Sequence, residues 1–263
     1  VGIPPQEDAY IAKATEKLFL APIRLVMQPE IRELHMPTAG VAHNMALINI
    51  PKTFPGQGFK VANSMWGAGQ MMFNKFAVIA SSPGSITDTG TLRELVERIS
   101  IPRDVMFSRG PLDILDHTAE VMGMGGKMCL DATEKTEEEG RPGSYPDVVV
   151  PEEWTRPEGV VFVNDFYARS WRTLLVAQSR DSKTPPREWV KSLLETNRAT
   201  GLKFVLVFDE QVTLSDPYTL LWIASSHCDA VRDVHVAGDY LVFDARVKAG
   251  GVNGFDRPWP NVV

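Results

Sequence analysis

Shifted by 128 positions, the chain meets its own order of apolar runs and helix breakers, so its fold has to be built twice. Leu47 falls on Leu175, Lys75-Phe76 on Lys203-Phe204, Asp88 on Asp216 and Thr91-Leu92 on Thr219-Leu220. One inserted residue later, Arg103-Asp104-Val105 meets Arg232-Asp233-Val234. Gly125-Gly126 with Asp131 then matches Gly250-Gly251 with Asp256 in spacing. Apolar pattern alone can align two α/β segments, but three identical consecutive residues and a matched glycine pair favour duplication. The reading is an α/β chain of mixed sheets flanked by helices, with an internal duplication of a strand-helix-strand-helix-strand unit. Residues 1–135 form the first repeat, 136–146 an acidic, solvated linker and 147–263 a second, diverged repeat.

The local signals fit such units. Asp8 to Leu20 places Ile11, Ala14, Thr15, Leu18 and Phe19 on one helical face between Pro5 and Pro22. Ile31 to Met36 and His43 to Ile50 read as short strands closed by Pro37 and Pro51. A loop to Gly58 follows, then a helix over Val61 to Met72 with glycines inside it, and a buried parallel strand over Lys75 to Ala80. Thr91 to Ile99 is a helix and Asp104 to Phe107 a strand. In the second half, Trp189 to Gly201 reads as a plain amphipathic helix.

Several function classes are disfavoured. Net charge is −6 and the cations are scattered among acids, which argues against a nucleic-acid surface. No apolar run approaches the roughly 20 residues of a membrane span. With only Cys129 and Cys228, about a hundred residues apart, a cytoplasmic setting is expected. The first residues, VGIPPQED, lack a secretory signature and read like a cut inside a longer polypeptide. The five histidines, His35, His43, His117, His227 and His235, show no zinc spacing, so no metal site is expected on this chain. His43 reads as a half-buried, satisfied histidine and Cys129 as an inert core thiol. No Gly-x-Ser-x-Gly elbow supports hydrolase chemistry.

Glycine inside a helix costs about 1 kcal/mol relative to alanine, so Gly67 and Gly69 imply a close approach to the backbone, by a ligand edge or by a neighbouring helix. GMGG at Gly123 to Gly126 lacks the Lys-Ser or Lys-Thr of a phosphate loop. It reads as a structural turn aiming Lys127 and Asp131, which pair with each other or across a subunit boundary. No residue is assigned a catalytic acid or base.

Three segments carry a family resemblance: PPQED at Pro4 to Asp8, FPGQGFKVANSMWGAGQMMFNK at Phe54 to Lys75, and GGKMCLDAT at Gly125 to Thr133. Over about residues 2 to 135 the chain resembles the carboxy-terminal domain of the UbiD family, decarboxylases of aromatic and α,β-unsaturated acids. The resemblance implies prenylated FMN with a divalent metal in the full-length enzyme, none on this chain alone, and an upstream flavin-binding domain as partner. It further implies a homo-oligomer, a dimer or higher, and a small aromatic acid as substrate. It places Trp66, Gly67, Ala68, Gly69 and Gln70 beside the substrate pocket, with Pro111, Leu112 and Leu115 on the loop Ser108 to His117 that closes over it. Without the resemblance, Leu112 and Leu115 read equally well as core filling under a loop. Gln70 matches the branch acting on 4-hydroxybenzoate in quinone synthesis, whereas Trp66 stands where several relatives carry a lysine. The alternative reading is a non-catalytic assembly module.

Overall fold

The computed structural model describes residues 5–37, 44–140, 145–248 and 252–255. Helix α1 (Pro5–Val26) leads into β1 (Glu33–His35), β2 (Met45–Asn49), α2 (Gln57–Trp66), β3 (Phe76–Ala80), α3 (Thr89–Arg98), β4 (Val105–Pro111) and β5 (Met124–Ala132). The second half runs β6 (Val160–Asn164), α4 (Ala168–Trp171), β7 (Thr173–Gln178), α5 (Pro186–Thr196), β8 (Phe204–Asp209), α6 (Pro217–His227), β9 (Val234–Ala237) and β10 (Tyr240–Asp244).

The strands form two five-stranded sheets of one design, β1-β2-β3-β5-β4 and β6-β7-β8-β10-β9. In each, three central strands are parallel and both edge strands antiparallel. Central strands are apolar on both faces because both are covered. On β3, Ala77 and Ile79 face α1 and α2, with Val61, Ala62 and Met65 of α2. Phe76 and Ala80 face the other way, into a core shared with Phe204 and Phe208 of β8 and holding Leu95 of α3 and Leu220 of α6. The far side of the second sheet is closed by α5 through Trp189, Val190, Leu193 and Leu194.

The offset of 128 holds through most of the unit. Leu47 pairs with Val78 as Leu175 pairs with Leu206, and Lys75 and Lys203 directly precede equivalent strands. Asp88 and Asp216 each cap a helix, accepting the amides of Thr91 and Thr219 at 2.8 and 3.1 Å. The α3 and α6 helices end against the opposite unit. Lys203 Nζ donates to the Val96 and Glu97 carbonyls at 2.8 and 2.9 Å, and Asn44 Nδ2 donates to the Ser225 carbonyl at 3.3 Å.

The final match needs correction. Asp131 lies opposite Ile79, and Asp244 opposite Val207, so Asp131 corresponds to Asp244 rather than Asp256. The β4 and β5 strands have 7 and 9 residues whereas β9 and β10 have 4 and 5, and this shorter hairpin breaks the offset. Gly250, Gly251, Asp256 and His43 lie outside the described residues.

Other boundaries also differ. Pro22 lies within α1, which continues to Val26. The acidic segment is not merely solvated: Glu139 accepts Lys52 Nζ at 2.7 Å and the Gly56 amide at 2.8 Å, fastening the linker to the start of α2. Ser108 to Pro111 belong to β4, so the expected loop begins only at Leu112.

Candidate functional site

The WGAGQ segment is where α2 stops. The helix ends at Trp66, the Gly67 amide bonds back to Asn63 and Ser64 carbonyls, and Gly69 takes a positive φ of 50° before a 3-10 turn over Gly69–Phe73. The glycines are therefore not inside a helix, and the helix-interior cost does not apply. Gly69 instead provides a left-handed conformation that side chains resist. A Cβ at Gly67 would meet nothing nearer than the Asn63 carbonyl at 3.6 Å, so no close approach within this chain demands that glycine.

Trp66 and Ala68 are buried, while Gly67, Gly69 and Gln70 face solvent. Beneath this exposed rim the base is tightly bonded. Trp66 Nε1 donates to Asn74 Oδ1 at 3.4 Å, and Lys127 Nζ donates to the Met72 and Asn74 carbonyls at 2.6 and 2.7 Å. The ammonium also lies 5.8 Å from the Trp66 ring centroid. Burial, with neighbouring Lys75 adding to it and Asp116 opposing, pulls the Lys127 amine down to about 8. Lys75 is itself fully buried, 2.7 Å from Asp116, whose other oxygen accepts the Thr118 amide and hydroxyl at 2.9 and 2.6 Å. This buried set was missed by sequence reasoning. Its signal was a lysine directly before an apolar run, occurring at both Lys75 and Lys203.

Lys127 and Asp131 do not pair with each other, which corrects the first of the two arrangements expected for them. Both lie on β5, where four residues span about 13 Å. Asp131 accepts the Thr133 amide and hydroxyl at 3.0 and 2.6 Å and lies 3.2 Å from Lys135. It also sits against Gly58, where a Cβ would come within 2.5 Å of its carboxylate.

The glycine pair Gly125-Gly126 belongs to β5 and is no turn. β5 runs past the start of β3, leaving the Gly126 amide to Asp229 of the second unit, which accepts it at 2.7 Å. Arg232 Nη1 donates to the Thr118 carbonyl at 2.7 Å beside this contact. Leu112 is buried against Gly125, so it braces the hairpin, whereas Pro111 and Leu115 are exposed. Cys129 is fully buried and its thiol is pushed well up by burial, as an inert thiol requires.

Of the expected pocket residues, Gly67, Gly69, Gln70, Pro111 and Leu115 are exposed, whereas Trp66, Ala68 and Leu112 are buried. Neither an apolar cavity of about 350 Å³ between the sheets nor a wider one of about 580 Å³ beside the end of α5 is lined by any of them. Among the described residues no three His, Cys, Asp or Glu side chains converge as metal donors. The described residues at this rim offer no metal-donor set, and no chemical step is drawn through a flavin or metal here.

A two-sheet α/β domain presenting a glycine-rich rim is one class of protein that family comparison resolves. The chain matches the model described as 3-octaprenyl-4-hydroxybenzoate carboxy-lyase C-terminal domain over residues 9–132 and 151–254, and it belongs to that family. The match takes in both sheets, extending the likeness beyond residue 135. An uncharacterised protein of Aquifex aeolicus is 40% identical over 150 residues, covering 57% of this chain and 31% of its own length. Another, of Helicobacter pylori, is 29% identical over 268 residues, covering 99% of this chain and 42% of its own. The chain therefore spans less than half the length of these relatives. Among solved structures, the UbiD-class enzyme HmfF from Pelotomaculum thermopropionicum in complex with FMN aligns with TM-score 0.42 and 23% identity, over 51% of this chain and 31% of that one. Vanillic acid decarboxylase from Sedimentibacter hydroxybenzoicus in open form aligns with TM-score 0.43 and 19% identity, over 53% and 29%. No helix among the described residues is long and apolar enough to cross a membrane.

Proposed function

We propose that this chain is the pocket-wall and dimerisation domain of a cytoplasmic, prenylated-FMN-dependent decarboxylase acting on aromatic or unsaturated acids, in quinone biosynthesis. The observation that carries this reading is the family match across both sheets, taken with the exposed Gly67–Gln70 rim fixed on Lys127 and Asn74. Flavin and metal are held by an upstream domain, which also supplies the groups that bind and protonate the substrate. Gly67, Gly69 and Gln70 wall the pocket with backbone and one amide, Trp66 and Ala68 support them, and exposed Pro111 and Leu115 form its other side, with Leu112 packed beneath on Gly125. Exposed Ile114, Leu115, Val121 and Met122 give this region an apolar surface suited to a neighbouring domain or subunit. A duplication gave rise to the two units, with residues 136–146 as their linker.

The isolated chain is inactive because the Lys127 ammonium under the rim is spent on the Met72 and Asn74 carbonyls, and the groups that bind and protonate substrate come from the upstream domain. The test is decarboxylation of aromatic acids by this chain alone, by the upstream domain alone and by the two combined. Activity is expected only in the combination, with Gln70→Ala altering rate or substrate preference. Carbon dioxide release by this chain alone would overturn the reading.

A further inference from the structure

Between the two sheets lies a partly open cavity of about 350 Å³, bounded by β2, β3 and β5 on one side and β7, β8 and β10 on the other, with α3 and α6 packed alongside. A space of this size falls within the range of small-molecule sites. Its chemistry is narrow. No charged side chain lines it, and its two hydroxyls are already committed: Thr173 Oγ1 donates to the Trp171 carbonyl at 2.8 Å and Ser225 Oγ to the Trp222 carbonyl at 3.1 Å. The Ser225 carbonyl takes Asn44. Water in this partly open space finds few polar partners, so a hydrocarbon would displace only poorly held water.

Apolar lining left facing water costs free energy that a bound hydrocarbon would recover. The lining residues Leu92, Leu95 and Val96 lie on α3 and Ile99 directly follows it, so the cavity runs along the helix for about 10 Å. Val78, Leu206 and Phe243, which line it, are only partly buried although their strands are central, so the cavity keeps strand side chains accessible. We propose that this inter-sheet cavity binds a hydrocarbon chain, saturated or isoprenoid, lying along α3. The site is separate from the Gly67–Gln70 rim, and its ligand is independent of the decarboxylase reading.

The test uses the whole chain titrated with dodecanoate and, separately, with farnesol, below the concentrations at which either forms micelles or droplets. Saturable binding of at least one is expected, and the tighter of the two identifies the source of the chain. Val78→Phe and Leu206→Phe, which fill the cavity from opposite sheets, should each weaken binding about tenfold or more by displacing several methylenes. Leu25→Phe, on exposed α1 surface, should leave binding unchanged. Should the filling variants unfold, a diazirine-bearing dodecanoate on the wild-type chain keeps the test decisive, with labelled peptides expected from β8, β10 or α3. No saturable binding of either ligand, binding indifferent to both fillings, or labelling confined to α1 would each overturn the proposal.

Discussion

Gly126→Ala is the smallest change that tests how the two units are fastened. A methyl at this position would fall onto the backbone nitrogen of Val231 and 2.5 Å from Asp229 Oδ1, where ordinary contacts begin near 3.4 Å. A backbone atom cannot rotate away, so the loop carrying Asp229 has to move. That movement strains the bond from the Gly126 amide to Asp229 at 2.7 Å, and those that Asp229 accepts from the Val231 and Arg232 amides, both at 2.9 Å. Losing one hydrogen bond to a charged acceptor costs about 1.5–3 kcal/mol, and overpacking about 1–3 kcal/mol more. The sum, about 2.5–6 kcal/mol, is a large part of the roughly 5–15 kcal/mol that holds a domain folded. Urea unfolding followed by circular dichroism would measure it as a lower midpoint at unchanged slope. Gly67→Ala is the control, since its methyl meets nothing within 3.6 Å, and should stay within about 0.5 kcal/mol of wild type. If Gly126→Ala cost less than about 1 kcal/mol, the rigid inter-unit contact inferred here would be wrong.

Two further outcomes follow from buried charge. Burial raises the Glu139 carboxyl, but the Gly56 amide, Lys52 and the Thr136 amide outweigh it and hold it at about 2, so its contribution is full above 4.5 and is lost as pH falls toward 2. Glu139→Gln should cost about 1–3 kcal/mol at neutral pH, and its stability curve should converge with wild type across that window; parallel curves would refute the role given to Lys52 and Gly56. His227 is pulled down to about 4 by burial first and by Lys248 second, so the unfolded chain takes up its proton earlier and stability falls as pH drops from 6.5 toward 4. Since burial holds His35 and His235 low as well, His227→Asn should shallow that slope without abolishing it, and an unchanged slope would exclude His227 as a contributor.

The parts of the fold legible in the sequence were those set by local chemistry. KFAVIA and KFVLVF are continuous apolar runs because β3 and β8 are covered on both faces, and Asp88 and Asp216 announce their helices by capping them. What failed depended on contacts distant in sequence or on the wrong geometry. Trp66 and Met71 are both buried, so the apolar pattern carries through the break that Gly69 makes, and the helix was read as continuous. Lys127 and Asp131 are spaced like a helical ion pair but stand on a strand. Gly126 looked like a turn because Asp229, 103 residues away, is invisible to local reading. Gly67, Gly69 and Gln70 are exposed because α2 ends at Trp66, an end that the apolar pattern conceals.

Helix ends that borrow their caps from the opposite unit bind the stabilities of the two halves together. When the second sheet opens, Val96 and Glu97 lose the ammonium of Lys203, and when the first opens, Ser225 loses Asn44. Each half alone would expose the face of its sheet that fills the common core, along with uncapped carbonyls. The two units therefore behave thermodynamically as a single foldon, and an amide in α3 opens to solvent exchange at a free energy tied to that of α6.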